Sequence, residues 1–154
     1  MTATVPVRCE HAGMDAVPES LVHAATEAHA RAYCPYSGYH VGAALRTAAG
    51  SVITGCNVEN AAYPLGTCAE AGAIAAMLLA GERVIAEVVV VTDGDEPGTP
   101  CGGCRQRIRE FAAPDVLIHS VSATGQVVSR TLEELLPHSF GPEFLIDPGR
   151  HAET

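Results

Sequence analysis

The chain has 154 residues, 47% hydrophobic and 18% charged, which suits one compact domain with a buried core and excludes a largely disordered polymer. Nine Lys and Arg against eighteen Asp and Glu leave a formal net charge of −9 with no basic run. That excludes nucleic acid as a partner and favours small, uncharged ligands.

The longest apolar windows, 73–80 and 84–91, fall far short of the roughly 20 residues of a membrane span, so no membrane role is expected. Arg8, Glu10, His11 and Asp15 interrupt the first twenty residues, no secretory apolar region is visible, and a cytoplasmic protein is predicted. In that compartment six cysteines read as thiols rather than as disulfides. One domain over 18–146 is expected, between a loose N-terminal segment, 1–17, and a loose tail, 147–154.

After Pro18, the residues Leu21, Val22, Ala25, Ala28 and Ala32 recur at helical spacing, which predicts a helix over 19–33 that stops before Pro35. Residues 41–47 and 51–54 flank Ala48-Ala49-Gly50 and read as paired strands. An Ala- and Leu-rich helix is expected over 69–80, ended by Gly81. The four valines in 87–92 predict a strand buried on both faces. A loop over 94–100, a helix over 104–112, strands over 116–121 and 126–129 and a short helix over 132–136 complete the order. Helices interleaved with these strands imply a two- or three-layer sandwich on a mixed sheet.

Chemistry concentrates at three cysteines. Cys101-Gly-Gly-Cys104 has the spacing that lets two thiolates reach one zinc, and no thioredoxin-like pattern precedes it to favour a redox dithiol. Cys68, just ahead of a predicted helix, supplies a third soft ligand. At helix starts the positive end of the dipole favours thiolates. Three protein ligands leave a fourth position open to water, the arrangement of a catalytic rather than a structural zinc site. Glu70, two residues after Cys68, is placed to move protons from that water without ligating the metal. Cys9, Cys34, Cys56 and the seven histidines lack partnered spacing and read as packing or surface residues.

Four segments carry a resemblance: CPYSGYHVGAAL at 34–45, GCNVENAAYPLGTCAEAGAI at 55–74, TPCGGCRQ at 99–106 and LEELLPHSFGP at 132–142. In this order they resemble the cytidine deaminase family, over about residues 20–145. The all-cysteine ligand set is similar to its small, homotetrameric branch. The resemblance implies a three-layer α/β/α sandwich around a mixed five-stranded sheet, a Zn²⁺ cofactor, and hydrolytic deamination of free cytidine and deoxycytidine in pyrimidine salvage. It implies Glu70 as proton shuttle, and Asn57 and Glu59 at the ribose hydroxyls. Tyr39 would lie beside sugar and base where the family usually has Phe, and Ala69 would offer its backbone to the pyrimidine. Tyr63 and Phe140 would reach a neighbouring subunit's cavity.

A carboxylate at Glu59 welcomes a hydroxyl and repels a phosphodiester, which again favours a free nucleoside. The chain departs from the family at Ala71, where an arginine commonly neutralises the thiolates. Three thiolates on Zn²⁺ carry a net −1, and Arg105, beside Cys104, is the residue expected to offset it. Two rival readings are a deaminase of a modified cytosine nucleoside, such as a blasticidin-type antibiotic, and a non-enzymatic zinc module closed by a fourth protein ligand.

Overall fold

Side chains on a strand alternate between the two faces of its sheet, and the valine-rich strand at the centre of this molecule uses both. In the computed structural model, which describes residues 17–145, the elements run α1 (Glu19–His29), β1 (Val41–Thr47), β2 (Val52–Cys56), α2 (Ala69–Leu79), β3 (Ile85–Thr92), α3 (Gly102–Arg109), β4 (Ala112–Ser122), β5 (Val127–Thr131) and α4 (Leu132–Leu135). Short 3₁₀ turns occupy Tyr63–Leu65 and Pro142–Phe144. The five strands form one sheet in the order β2-β1-β3-β4-β5. It is mixed: β3 and β4 are parallel, and every other pairing is antiparallel.

Val89 and Val91 of β3 face α1, packing with Ala44, Val121, Leu21 and Ala25. Val88 and Val90 face the other way, onto Ala73 and Met77 of α2, Ile108 of α3 and Leu132 of α4. These two cores on either side of one sheet are the α/β/α sandwich anticipated from the resemblance. Two glycines set how closely the layers approach. A Cβ at Gly42 would run into Ala25 O and His29 N of α1, and one at Gly55 into Ala69 O and Ala73 N of α2. Without side chains there, each helix lies directly on its strand.

The boundaries move where long-range pairing competes with local preference. The first helix ends at His29 instead of Tyr33, because the Tyr33 N–H donates to Asn57 O and Tyr33 O accepts from Glu59 N. The segment 57–59 thus draws the chain out of the helix. Pairing of Gly42 with Cys56 carries β2 past the expected Thr54, and pairing of Ile85 with Ala112 starts β3 and β4 earlier than their valine runs suggested. The third helix begins at Gly102, two residues early, because Cys101 is extended and caps it. It also ends earlier, at Arg109. The last helix has a Thr131–Glu134 capping box.

Except for Val17, the ends expected to be loose, together with Cys9, lie outside the described residues. No helix among the described residues is long and apolar enough to cross a membrane.

Candidate metal centre and substrate cavity

Two helix starts meet at one end of the sheet. Cys68 is the N-cap of α2 and Cys101 the N-cap of α3, while Cys104 lies in the first turn of α3. Their sulfur atoms all lie within 4.8 Å of one another, with 4.0 Å between Cys68 and Cys101. Tetrahedral zinc with Zn–S bonds of about 2.3 Å holds sulfurs about 3.8 Å apart, so the three thiols fit that ion. They are the sole group of three or more potential ligands that converges in this way among the described residues.

The electrostatics point the same way. Burial, then the Glu70 carboxylate, pushes the Cys104 thiol far above its ordinary range. Burial likewise raises Cys68, although its contact with Cys104 works in the opposite direction. At Cys101 burial opposes ionisation, but the backbone N–H of Cys104 and the two neighbouring thiols outweigh it and hold the group below its usual value. A divalent cation relieves the repulsion among these anions and makes three thiolates favourable together.

Glu70, in the first turn of α2, is 4% exposed, and one of its carboxylate oxygens accepts from the Cys104 thiol at 3.3 Å. It therefore stands against the ligand set, as its position two residues after Cys68 suggested. Ala71 brings no cation. Arg105, beside Cys104, donates from Nε to Pro100 O at 2.7 Å, from Nη1 to Leu135 O at 2.8 Å and from Nη2 to Thr99 Oγ1 at 2.8 Å. These bonds fix the Cys101 knuckle to the end of α4 and use three of the five guanidinium N–H groups, none of them on a cysteine sulfur. The positive ends of α2 and α3 offset the thiolate charge.

Glu70, Cys68 and Cys101 open onto a cavity of about 330 Å³ whose wall also includes Tyr39, Asn57, Glu59 and Ala69. Polar bonds between loops build the far side. The Asn57 Oδ1 atom accepts from Val41 N at 2.8 Å and its Nδ2 donates to Tyr39 O at 2.9 Å, which leaves one amide hydrogen for a ligand. Glu59 Oε2 accepts from Tyr36 N at 2.9 Å and Ser37 N at 3.2 Å, while Oε1 accepts from the Ser37 hydroxyl. A carboxylate has about four acceptor sites, so one stays open. The Ser37 hydroxyl, then the Tyr36 N–H, holds the Glu59 carboxyl below the usual carboxylate range.

Tyr63 and Phe140 stand apart from this cavity. Tyr63 is 76% exposed and its ring lies 5.8 Å from that of Tyr36 beside a second, smaller hollow. Phe140 is exposed, stacked on Phe144 at 5.3 Å, and its carbonyl accepts from Gln106 Nε2. Cys34 is buried and Cys56 half-buried, neither within the metal group.

Sequence reasoning missed Thr92, Gly98 and Thr99, which are also part of the wall. Gly98 N donates to Thr92 Oγ1, and a Cβ on Gly98 would crowd the Tyr39 hydroxyl. The nearest signal was the run Gly98-Thr99-Pro100 leading into Cys101.

The family model for the cytidine and deoxycytidylate deaminase zinc-binding region matches residues 15–120. The chain belongs to the cytidine deaminase family. Within that family of hydrolytic deaminases it is 40% identical to the cytidine deaminase of Halalkalibacterium halodurans over 129 residues, 84% of this chain and 98% of that one. A crystal structure of cytidine deaminase from Burkholderia pseudomallei matches with a TM-score of 0.77 and 41% identity, covering 81% of this chain and all of that one. The blasticidin-S deaminase of Bacillus cereus is 34% identical over 125 residues, 76% of this chain and 87% of that one. Zinc is the metal of the matched region, and the three clustered cysteines are a donor set that suits it.

Proposed function

We propose that this chain deaminates free cytidine and deoxycytidine to uridine and deoxyuridine, with Cys68, Cys101 and Cys104 as zinc ligands and Glu70 as the proton carrier. The observation that carries this reading is the buried Glu70 carboxylate lying against a metal ligand while facing a cavity large enough for one nucleoside. Bound zinc supplies the Lewis acidity that makes a water nucleophilic near neutral pH. Glu70 takes the proton from that water as it adds to C4 of the pyrimidine and passes it to N3. It then moves the proton of the new C4 hydroxyl to the exocyclic nitrogen, which leaves as ammonia as the C4 carbonyl of uridine forms. Ala69, in the cavity wall beside Glu70, orients the base through its backbone, and Asn57 and Glu59 receive the sugar hydroxyls in this reading.

The electrostatics support a nucleoside over a nucleotide or a strand. The sugar end presents the Glu59 carboxylate, on a chain of net charge −9. A homotetramer is part of the same reading, since Tyr63 and Phe140 project outside their own chain's cavity, where they are free to enter a neighbour's. A monomer in sedimentation would remove that assignment. The reading places the protein in the cytoplasm, in nucleoside salvage.

The test is the ultraviolet change on mixing zinc-loaded protein with cytidine, run beside Glu70→Gln. The wild type should convert cytidine, and the variant should lose at least the roughly 10²–10⁴-fold typical of a general acid–base group while keeping its zinc. Near-normal turnover by the variant would remove Glu70 from the chemistry. The relationship to a blasticidin-S deaminase gives the competing substrate to include. A strong preference for that antibiotic over cytidine would overturn the nucleoside assignment.

A further inference from the structure

We propose that Asp93 is a positioning residue that fixes the sugar-side wall of the cavity, so that its removal weakens substrate binding and leaves the chemical step intact. This inference rests on the nucleoside reading above. The β1–β3 ladder ends at the pair Val41 and Thr92. One position further on, Asp93 continues it with its own side chain: Oδ2 accepts from His40 N at 2.6 Å and meets His40 Nδ1 at 3.0 Å, while Asp93 N donates to His40 O at 3.3 Å. The other oxygen, Oδ1, meets Nε2 of His29, the last residue of α1, at 2.9 Å. A single carboxylate thus joins the end of α1, the start of β1 and the end of β3.

The residues flanking this clamp form the wall. Tyr39 and Val41, on either side of His40, line the cavity, as does Thr92 beside Asp93. From the opposite direction Asn57 holds Tyr39 O and Val41 N, and Ser37 Oγ holds Tyr39 N at 3.0 Å. Asp93 and Asn57 therefore grip the same two peptide groups, 39–40 and 40–41, from opposite sides, with Asn57 on the cavity side. Releasing His40 frees Tyr39 to drift and leaves Asn57 without a fixed partner. None of these bonds involves Cys68, Glu70 or Cys104, so the damage is confined to the end of the cavity that binds the sugar.

The experiment compares wild type, Asp93→Ala and Asp93→Asn by steady-state kinetics with cytidine, zinc content, and direct titration with uridine, whose binding needs no chemistry. For Asp93→Ala the expected result is a KM about tenfold higher with kcat within about twofold, a parallel weakening of uridine binding, and full zinc content. Asp93→Asn keeps an oxygen that can accept from His40 N, so it should fall between the two. It also decides the matter if the alanine variant does not fold: a KM raised about threefold supports the role, and an unchanged KM overturns it. A lower melting temperature with KM unchanged, or a fall in kcat with KM unchanged, overturns it too. Wild-type protein that neither converts cytidine nor binds uridine would end the nucleoside reading and this inference together, whereas normal wild-type turnover with indifferent Asp93 variants would end only the inference.

Discussion

The two ends of the cavity are built in different ways. At the metal end, four side chains come from the first turns of two helices, and their convergence follows from residue spacing within each helix start. At the opposite end, which the proposed function assigns to the sugar, Tyr39, Asn57 and Glu59 lie outside regular structure or at its margins, held by hydrogen bonds between side chains and peptide groups from segments distant in sequence. The first arrangement is rigid because helices resting on a sheet make it so. The second is only as rigid as its hydrogen bonds, which makes it the natural place for substrate range to vary while the reaction stays the same.

The comparison breaks most visibly at Cys104, the fully buried cysteine of the three. Cys104→Ala should lose stoichiometric zinc and reduce cytidine turnover to background, with the metal measured by chelator titration of the purified protein. A variant retaining tightly bound zinc and measurable turnover would show that Cys104 is not a ligand. The contrast with Asp93, whose loss should alter KM and spare the metal, is the clearest separation of the two ends.

A smaller effect is expected where the two ends share a support. Gly55 lies on β2, two residues before Asn57, and its bare Cα faces Ala69 and Ala73 of the helix that carries Glu70. Gly55→Ala puts a methyl group against backbone, not against a yielding side chain. It should lower stability by about 2–3 kcal/mol, the range of overpacking in a core. Because both ends lean on this contact, zinc affinity and KM should worsen together. Denaturant unfolding with parallel kinetics would check it, and a neutral substitution would mean that α2 can lift off the sheet without consequence.

The same division explains what was legible in the sequence. The cysteine spacing, the Glu two residues after Cys68 and the valine run of β3 are local patterns, and the structure brings together the residues they single out. What escaped was non-local. The end of α1 is set by Tyr33 pairing with the segment 57–59, and the early start of β4 by Ile85 meeting Ala112, partners no window of sequence contains. The partners of Arg105 were hidden for a related reason. Adjacency to Cys104 places its Cα near the metal site, but helix geometry turns the guanidinium towards Pro100 and Leu135. The pairing of Asp93 with His40 carried no signal, because nothing in either neighbourhood announces that β1 starts beside the end of β3.

The mildest effect expected is one of pH at the sugar end. Hydrogen bonds from Ser37 and Tyr36 depress the carboxyl of Glu59, so the folded protein holds it ionised below the pH at which a free Glu, with a pKa of about 4.3, would protonate. The sign follows directly: a depressed carboxyl keeps its full contribution above the ordinary value and loses it only as pH falls through the lower, folded one. Uridine affinity should therefore stay flat from about pH 8 to about pH 5, then decline in stronger acid. Ser37→Ala removes the largest of the lowering contacts. It should move that decline to higher pH, so that the variant's binding, relative to its own value at pH 8, falls by up to about threefold near pH 4 while the wild type falls less, as read by uridine titration. Superimposable profiles would mean that the sugar does not depend on the Glu59 charge, and the preference for an unphosphorylated sugar would then need another source, the net charge of the chain being the remaining one.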